Sequence, residues 1–413
     1  MSLQTCLAEY FAGHIPARLG VAVSGGSDSL ALLCLLYDWR QRGGPTLAAV
    51  TVDHGLRPTS AQEAAEVAQF CARLGIPHET RHWQGWDGTG NLPDQARRAR
   101  YALLTDWARA HDIADIAIGH TQDDLAETFL MRLVRGAGVD GLAAMRPRWT
   151  QSGVTFHRPL LDIPRESLRN HLRALGQTWI DDPTNDDTAY LRPRARQVLS
   201  ALAPLGLDAA TLAGVAHTLS EARTALDHAT QTAARALMRG QAGDILIDQA
   251  GFNALPEEMA RRLMQAALHW LAGGEYPPRG AAIATLIQAA RAGQNMTLHG
   301  CLLLPAKEDQ LRLTREYAAV RGLRMPATDL WDHRWHATGP VSPDTEIAAL
   351  GPAGLRACPD WRLSGLPHAS ALAVPGLWQG DTLIAAPLMG WSNGWSLTLC
   401  PDRDNLLTPL LSH

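Results

Sequence analysis

Short apolar runs alternate with amphipathic stretches over residues 19 to about 145. Residues 19–23 predict a strand, and the apolar segment 30–37 just behind it predicts a helix. Residues 47–52 predict a second strand, ending at Asp53-His54. A helix follows over 60–74, with Ser60 as its cap and Glu63 three positions on. Residues 94–110 predict an arginine-rich helix, and 113–118 a strand ending at Gly119-His120. Residues 122–135 predict a helix closed by Gly136. Strands alternating with helices predict an α/β fold with a doubly wound parallel sheet. Ligands of such sheets bind beyond the carboxyl ends of the strands. All three strand ends here are polar: residues 24–29, Asp53-His54, and residues 120–124.

The alternation breaks over 146–200. An arginine-rich helix is predicted over 165–175, followed by a polar loop at 181–187 and a basic stretch, Arg192-Pro193-Arg194-Ala195-Arg196. Pro204 and Gly206 predict a linker. Residues 208–240 and 256–292 are rich in alanine and leucine and predict helices; 298–304 and 309–314 predict strands. From about 322 proline, glycine and tryptophan are dense and helical periodicity is gone. Runs at 383–386 and 395–399 predict a small β-rich domain, whose six tryptophans from Trp331 to Trp395 suit a core better than a stacking surface. The expected domains are 1–200, a mainly helical 205–318 with a short strand pair, and 322–413.

At 413 residues the chain exceeds one ordinary domain. With 46% hydrophobic and 19% charged residues it predicts a globular protein with ample core. No run reaches the length of a membrane helix. Residues 1–20 contain Glu9 and His14 and make a poor signal peptide. The six cysteines form no C-x-x-C, so no zinc, iron–sulfur or disulfide framework is expected, and a cytoplasmic location is the default. A net charge of −4 gives no hint of nucleic acid, yet eleven arginines face seven acids over 131–200. Of all basic residues only Lys307 is lysine, a bias that a GC-rich genome explains.

The first polar strand end is the most informative. Ser24, Gly25, Gly26, Ser27, Asp28 and Ser29 lie between a strand and a helix start. Adjacent glycines let the backbone approach an anion, the helix N-terminus offers unpaired N–H groups, and the serines add hydroxyls. The loop lacks the lysine of a Walker A loop and the spacing of the dinucleotide fingerprint. Asp28 would repel a polyphosphate unless a cation lay between them, which suggests Mg²⁺. The plain alternative is a Gly-Ser turn that caps a helix. In the third strand end, Asp124 and Glu127 share a helix face. They could hold an amine, a metal or water, or simply complement the helix dipole. Asp53 and His54 could contact an adenosine or merely end a strand. Arg97 and Arg100 could reach a phosphate or form a solvated face.

Together these residues resemble the tRNA(Ile)-lysidine synthase family of N-type ATP pyrophosphatases. The matches are the Ser24–Ser29 loop, residues 53–57, 96–101, 119–142, 158–161 and 179–185, so the resemblance is specific over about 19–196. Pro93 stands where the family usually has an acid, and Arg192-Pro193-Arg194 where it has Arg-Asn-Arg. The resemblance implies a PP-loop fold, related to the adenine nucleotide alpha hydrolases, with a helical middle domain and a tRNA-binding C-terminal domain. It implies two steps: ATP adenylates C2–O of the wobble cytidine of tRNA(Ile) with a CAU anticodon, then free lysine displaces AMP. In these terms the loop with Asp53 and His54 holds ATP, and Asp28 serves catalysis through Mg²⁺. Asp124 and Glu127 recognise lysine. Arg97, Arg192, Arg194 and Arg196 hold tRNA or close the site. The resemblance admits a homodimer and implies no membrane. The thiolating relatives use cysteine pairs or an iron–sulfur cluster, and no suitable pair is found here. A non-catalytic tRNA-binding protein would have no need of the intact loop and acids.

Overall fold

The computed structural model describes residues 3–84, 86, 88, 90–181, 191–273, 278 and 280–400. The polar loop expected at 181–187 lies outside these residues but for Asp181. The chain divides into two compact units, Met1–Arg223 and Thr224–His413.

In the first unit, α1 (Leu3–Phe11) precedes β1 (Arg18–Ala22), α2 (Ser27–Gln41), β2 (Thr46–Asp53), α3 (Ser60–Arg73), β3 (His78–His82), α4 (Leu92–Ala110) and β4 (Asp115–Ile118). Then come α5 (Gln122–Leu133), α6 (Val139–Leu142), β5 (Arg148–Gln151), β6 (Val154–His157), α7 (Arg165–Ala174), α8 (Leu191–Leu202) and α9 (Ala209–Leu237), within which the first unit ends. The sheet runs β3-β2-β1-β4-β6-β5. Its first five strands are parallel, and β5 closes the edge antiparallel to β6. The apolar strands sit at the centre: Leu19 and Val21 of β1, Ala49 and Val50 of β2, and Ile116, Ala117 and Ile118 of β4 are all buried. One sheet face packs on α1, α2, α3 and α7 through Leu7, Phe11, Leu32, Leu35, Val67 and Leu168. The other packs on α4 through Leu104 and Trp107 against Ile116, Ile118 and Phe156.

Strand order reverses at β1 and β4, where a doubly wound sheet opens its crevice. The two strand ends that carry the phosphate loop and residues 120–124 therefore face the same opening. Several elements differ from expectation. Helix α2 begins at Ser27, three residues early, with Gly26 as its N-cap, so Asp28 and Ser29 belong to its first turn. Thr59, not Ser60, stands at the N-cap of α3, and its hydroxyl donates to Glu63 Oε1 at 2.8 Å. Strand β3 (His-Glu-Thr-Arg-His) has no apolar alternation because it lies at the sheet edge. The β5–β6 hairpin escapes the pattern too, turning through Ser152 and Gly153, both with positive φ.

In the second unit, β7 (Met238–Gln241), β8 (Asp244–Asp248), β9 (Met296–Leu298), β10 (Cys301–Pro305) and β11 (Gln310–Arg315) form a five-stranded antiparallel sheet ordered β7-β8-β11-β10-β9. The strand expected over 298–304 is thus two strands, separated by left-handed His299 and Gly300. The helix expected over 256–292 is also two, α11 (Glu257–Ala272) and α12 (Gly280–Arg291), which with α10 (Gln249–Asn253) cover the sheet around Leu263, Trp270 and Ile287. A four-stranded sheet follows, β12 (Arg324–Pro326), β14 (Thr345–Ala349), β15 (Pro375–Gln379) and β16 (Thr382–Ala385), with β13 (Trp335–Thr338) pairing β17 (Ser396–Leu399). A short helix, α13 (Tyr317–Val320), precedes it, and α14 (Gly351–Ala357) and α15 (His368–Ala373) lie between β14 and β15. Trp331, Trp335, Trp378 and Trp395 are buried, and Trp391 is exposed.

Candidate active site

The phosphate loop is a strand–turn–helix junction whose hydroxyls are mostly spent on itself. Ser29 Oγ donates to Gly26 O at 3.1 Å and accepts from Ser24 N at 3.1 Å. The Ser24 and Ser29 hydroxyls share a bond at 3.2 Å. Ser27 Oγ donates to Asp28 Oδ1 at 3.0 Å. Gly25 has φ +85°, which favours glycine, and a Cβ there would lie 2.5 Å from Ile180 Cδ1. Ile180 N donates to Gly25 O at 3.0 Å. At the end of β4, a Cβ on Gly119 would lie 2.9 Å from Ser29 N and Cα. Glycine there lets the end of β4 approach the start of α2.

Beyond β2, Asp53 Oδ1 accepts from Gly55 N at 2.8 Å, and Oδ2 lies 3.5 Å from His82 Nδ1. Burial resists ionisation of Asp53, but these neighbours and Ser60 outweigh it and hold the carboxyl below its usual range. His54 meets Trp83 edge-on at 5.7 Å, and its Nδ1 is buried without a hydrogen-bond partner among the described residues. Burial and then Arg100 push the imidazole below its ordinary value, which keeps it neutral.

Beyond β4, Thr121 and Asp124 form a reciprocal cap for α5: Thr121 N donates to Asp124 Oδ2 at 2.9 Å, and Asp124 N to Thr121 Oγ1 at 3.4 Å. Glu127 lies on the same face with 1% of its side chain exposed. Both acids meet a residue from another element. Arg165 opens α7, and its guanidinium reaches three carboxylates: Nε donates to Asp28 Oδ2 at 2.8 Å, Nη2 lies 3.3 Å from Asp124 Oδ1, and Nη1 donates to Glu127 Oε1 at 3.3 Å. Its backbone N–H donates to Asp123 Oδ2 at 2.8 Å. Arg196 Nε also donates to Glu127 Oε1, at 2.6 Å, whereas Glu127 Oε2 is buried with no partner among the described residues. Burial opposes the charge on Asp124, yet Arg165, Arg192 and the Thr121 N–H hold its carboxyl below the usual range. For Asp28 burial wins over Arg165, and the carboxyl lies above its usual range.

His120 Nδ1 accepts from Arg158 Nε at 3.0 Å, and the Arg158 guanidinium lies 3.9 Å from the centre of the Trp149 ring. Burial, with Arg158 and Arg100 adding to it, pushes His120 down to about 3, against the pull of Asp124. The four arginines expected to hold tRNA or close the site separate. Arg97 is exposed, its guanidinium 5.1 Å from the Tyr101 ring centre. Arg192 and Arg196 are one helical turn apart on α8 and both act on the acids, while Arg194 is exposed. Among the described residues no three His, Cys, Asp or Glu side chains gather to hold a metal, and the six cysteines are unpaired.

Comparison with known proteins gives the family. The PP-loop domain family matches residues 2–203. The tRNA(Ile)-lysidine synthase of Ruegeria pomeroyi is 52% identical over 407 residues, covering 98% of this chain and 97% of that protein. The chain belongs to the tRNA(Ile)-lysidine synthase family. Enzymes of the same name from Bradyrhizobium diazoefficiens (42% identical; 66% of this chain, 77% of that protein) and Wolbachia pipientis wMel (33%; 78% and 77%) are also similar.

For a lysidine synthase, the residue that sequence reasoning missed is Arg165. A signal was present. Arg165 directly follows Pro164 and occupies the first turn of a helix, where a cation opposes the macrodipole. A locally unfavourable charge at a predictable helix start points to a tertiary partner.

Proposed function

We infer that the chain ligates free L-lysine to C2 of the wobble cytidine of tRNA(Ile) with a CAU anticodon, consuming ATP and releasing AMP and pyrophosphate. The observation that carries this reading is the convergence of Asp28 with Asp124 and Glu127 on one guanidinium, which sets an anion loop directly beside a carboxylate pair. Family membership supports it.

In the first step the cytidine C2 oxygen attacks the α-phosphorus. The O–P bond forms, and the bond from the α-phosphorus to the β-bridging oxygen breaks. The N-terminus of α2 and residues 24–29 stabilise the charge on departing pyrophosphate. Asp53 and His54, beside β1, suit the adenosine side. Mg²⁺ fits here: an ion held mostly by phosphate oxygens needs one or two carboxylates, and Asp28 supplies one at the loop. When bound, it would neutralise phosphate charge. In the second step the side-chain amine of lysine attacks C2, the C–N bond forms, the C2–O bond breaks and AMP leaves. The attacking amine must shed its proton, so Asp124 and Glu127 serve recognition of lysine rather than proton transfer.

Arg194 and Arg97, both exposed, suit tRNA phosphates; Arg192 and Arg196, turned toward the acids, suit closure of the site. The β-rich region 322–400 adds tRNA contacts, for which exposed Trp391 offers a stacking surface. The protein works in the cytoplasm, with a homodimer as one assembly. Incubation with ATP, lysine and a tRNA(Ile) transcript bearing CAU tests the reading. The wobble nucleoside should gain the mass of lysine less water. Pyrophosphate release with tRNA but no lysine product would overturn the lysine assignment.

A further inference from the structure

We propose that Arg165 is a positioning residue that couples the two halves of the site: it occupies the lysine-binding carboxylates until ATP phosphates draw its guanidinium away. This rests on the reading of Asp124 and Glu127 as the acids that recognise lysine.

The guanidinium is spread over both halves. Its Nε binds Asp28 of the phosphate loop, while Nη1 and Nη2 face Glu127 and Asp124. With five donors in a fixed fork, arginine spans three acceptors as lysine could not. It also satisfies them with the charge that a substrate ammonium would bring. A lysine amine entering here therefore competes with Arg165 for Asp124 Oδ1 and Glu127 Oε1. Glu127 shows that the pairing is incomplete. Oε1 takes both Arg165 and Arg196, while Oε2 is buried and accepts from no donor among the described residues. A buried carboxylate oxygen without a donor is a place for a further N–H.

What frees the acids is the other ligand. Asp28 belongs to the first turn of α2, where the loop offers its N–H groups to phosphate. A triphosphate there competes with the three carboxylates for the same guanidinium, and forked donors favour phosphate oxygens. A guanidinium drawn toward the phosphates moves its Nη1 and Nη2 donors away from Glu127 and Asp124. ATP binding then raises lysine affinity, and by reciprocity lysine raises that of ATP. The order suits the chemistry, because lysine engages fully only when a nucleotide is in place.

Titration calorimetry of the full chain with L-lysine tests this, with Mg²⁺ and with or without α,β-methylene-ATP, which resists cleavage at the bond concerned. For the unaltered protein the analogue should lower the lysine Kd at least about fivefold. In Arg165→Ala and Arg165→Gln that ratio should fall to about one, with a Kd in the absence of analogue no weaker than that of the unaltered protein. Analogue binding by each variant verifies its fold, and a merely structural role would not move the ratio. Equal Kd values with and without analogue in the unaltered protein, or an unchanged ratio in a variant that binds the analogue, would overturn the coupling. Lysine binding in no state would overturn the lysine reading itself, and the coupling with it.

Discussion

Arg165 Nε donates to Asp28 Oδ2 at 2.8 Å, joining residues 137 positions apart. The contact ties the start of α7 to the first turn of α2. Both side chains are largely withdrawn from water, at 15% and 19% exposed. A buried charge left without its partner costs roughly 3–5 kcal/mol, and the partial exposure here places this pair at the lower end. The same guanidinium then meets Asp124 and Glu127, so the nucleotide and lysine halves share one cation.

Asp28→Asn keeps the side-chain volume and removes the charge. Adenylation, read as tRNA-dependent pyrophosphate release, should fall about 10²–10³-fold, the usual scale for losing one stabilising group at a developing charge. Binding of tRNA should stay within a factor of about three. Near-normal adenylation in this variant would take Asp28 out of the first step.

Glu127→Gln should separate the two steps. The amide oxygen still accepts from Arg165 and Arg196, but the charge that attracts an ammonium is gone. The lysine KM should rise about tenfold or more, near 1.4 kcal/mol of binding, while adenylated tRNA still forms and accumulates. An unaltered lysine KM would count against Glu127 as a lysine contact.

The loop was legible because strand, glycines, hydroxyls and helix start follow one another within a dozen residues, so local rules suffice. The approach of Asp124 and Glu127 to that loop was legible as well, because polar strand ends of a parallel sheet face one crevice. Arg165 was hidden by its distance along the chain from the acids it serves; only its opposition to the helix dipole betrayed it. Strands β3 and β5 were hidden for a different reason. Edge strands bury little, so His78–His82 and Arg148–Gln151 carry no alternation for a periodicity argument to find. In the second unit, alanine-rich helical texture ran across the break between α11 and α12, where Gly273 takes positive φ.

His120 predicts how the fold responds to acid. Its imidazole stays neutral in the folded chain down to about 3, against an ordinary value of 6.5. Between those values the unfolded chain binds the extra proton, so stability is complete above about 6.5 and is lost as pH falls toward 3. The limiting slope for one such group is about 1.4 kcal/mol per pH unit. Asp124, depressed by its neighbours, adds a loss in the same direction only once pH falls below its ordinary 3.8. His120→Gln, which can still accept from Arg158, should flatten the decline of Tm between pH 6.5 and 4.5. An identical pH profile in the variant would show that His120 takes up its proton at the same pH in the folded and unfolded chain.

The arginines of α8 predict a division of labour along a single helix. Arg192 and Arg196 lie four apart and turn toward the acids, where Arg196 Nε sits 2.6 Å from Glu127 Oε1. Arg194 lies halfway between them in sequence, on the opposite side of the helix, and is exposed. A solvent-facing arginine suits a phosphate, whose contribution is read through released counterions. Arg194→Ala should weaken tRNA binding, lower the salt slope of log K by about 1, and leave the lysine KM unchanged. Arg196→Ala should instead lower the lysine KM, by freeing Glu127 Oε1 of a competing guanidinium, with little effect on the salt slope, because its charge is spent on Glu127 rather than on the nucleic acid. Filter-binding titrations at several salt concentrations, paired with lysine kinetics for each variant, distinguish the two outcomes. Equal losses of tRNA affinity in both variants would show that the inward arginine leaves Glu127 to meet the anticodon loop.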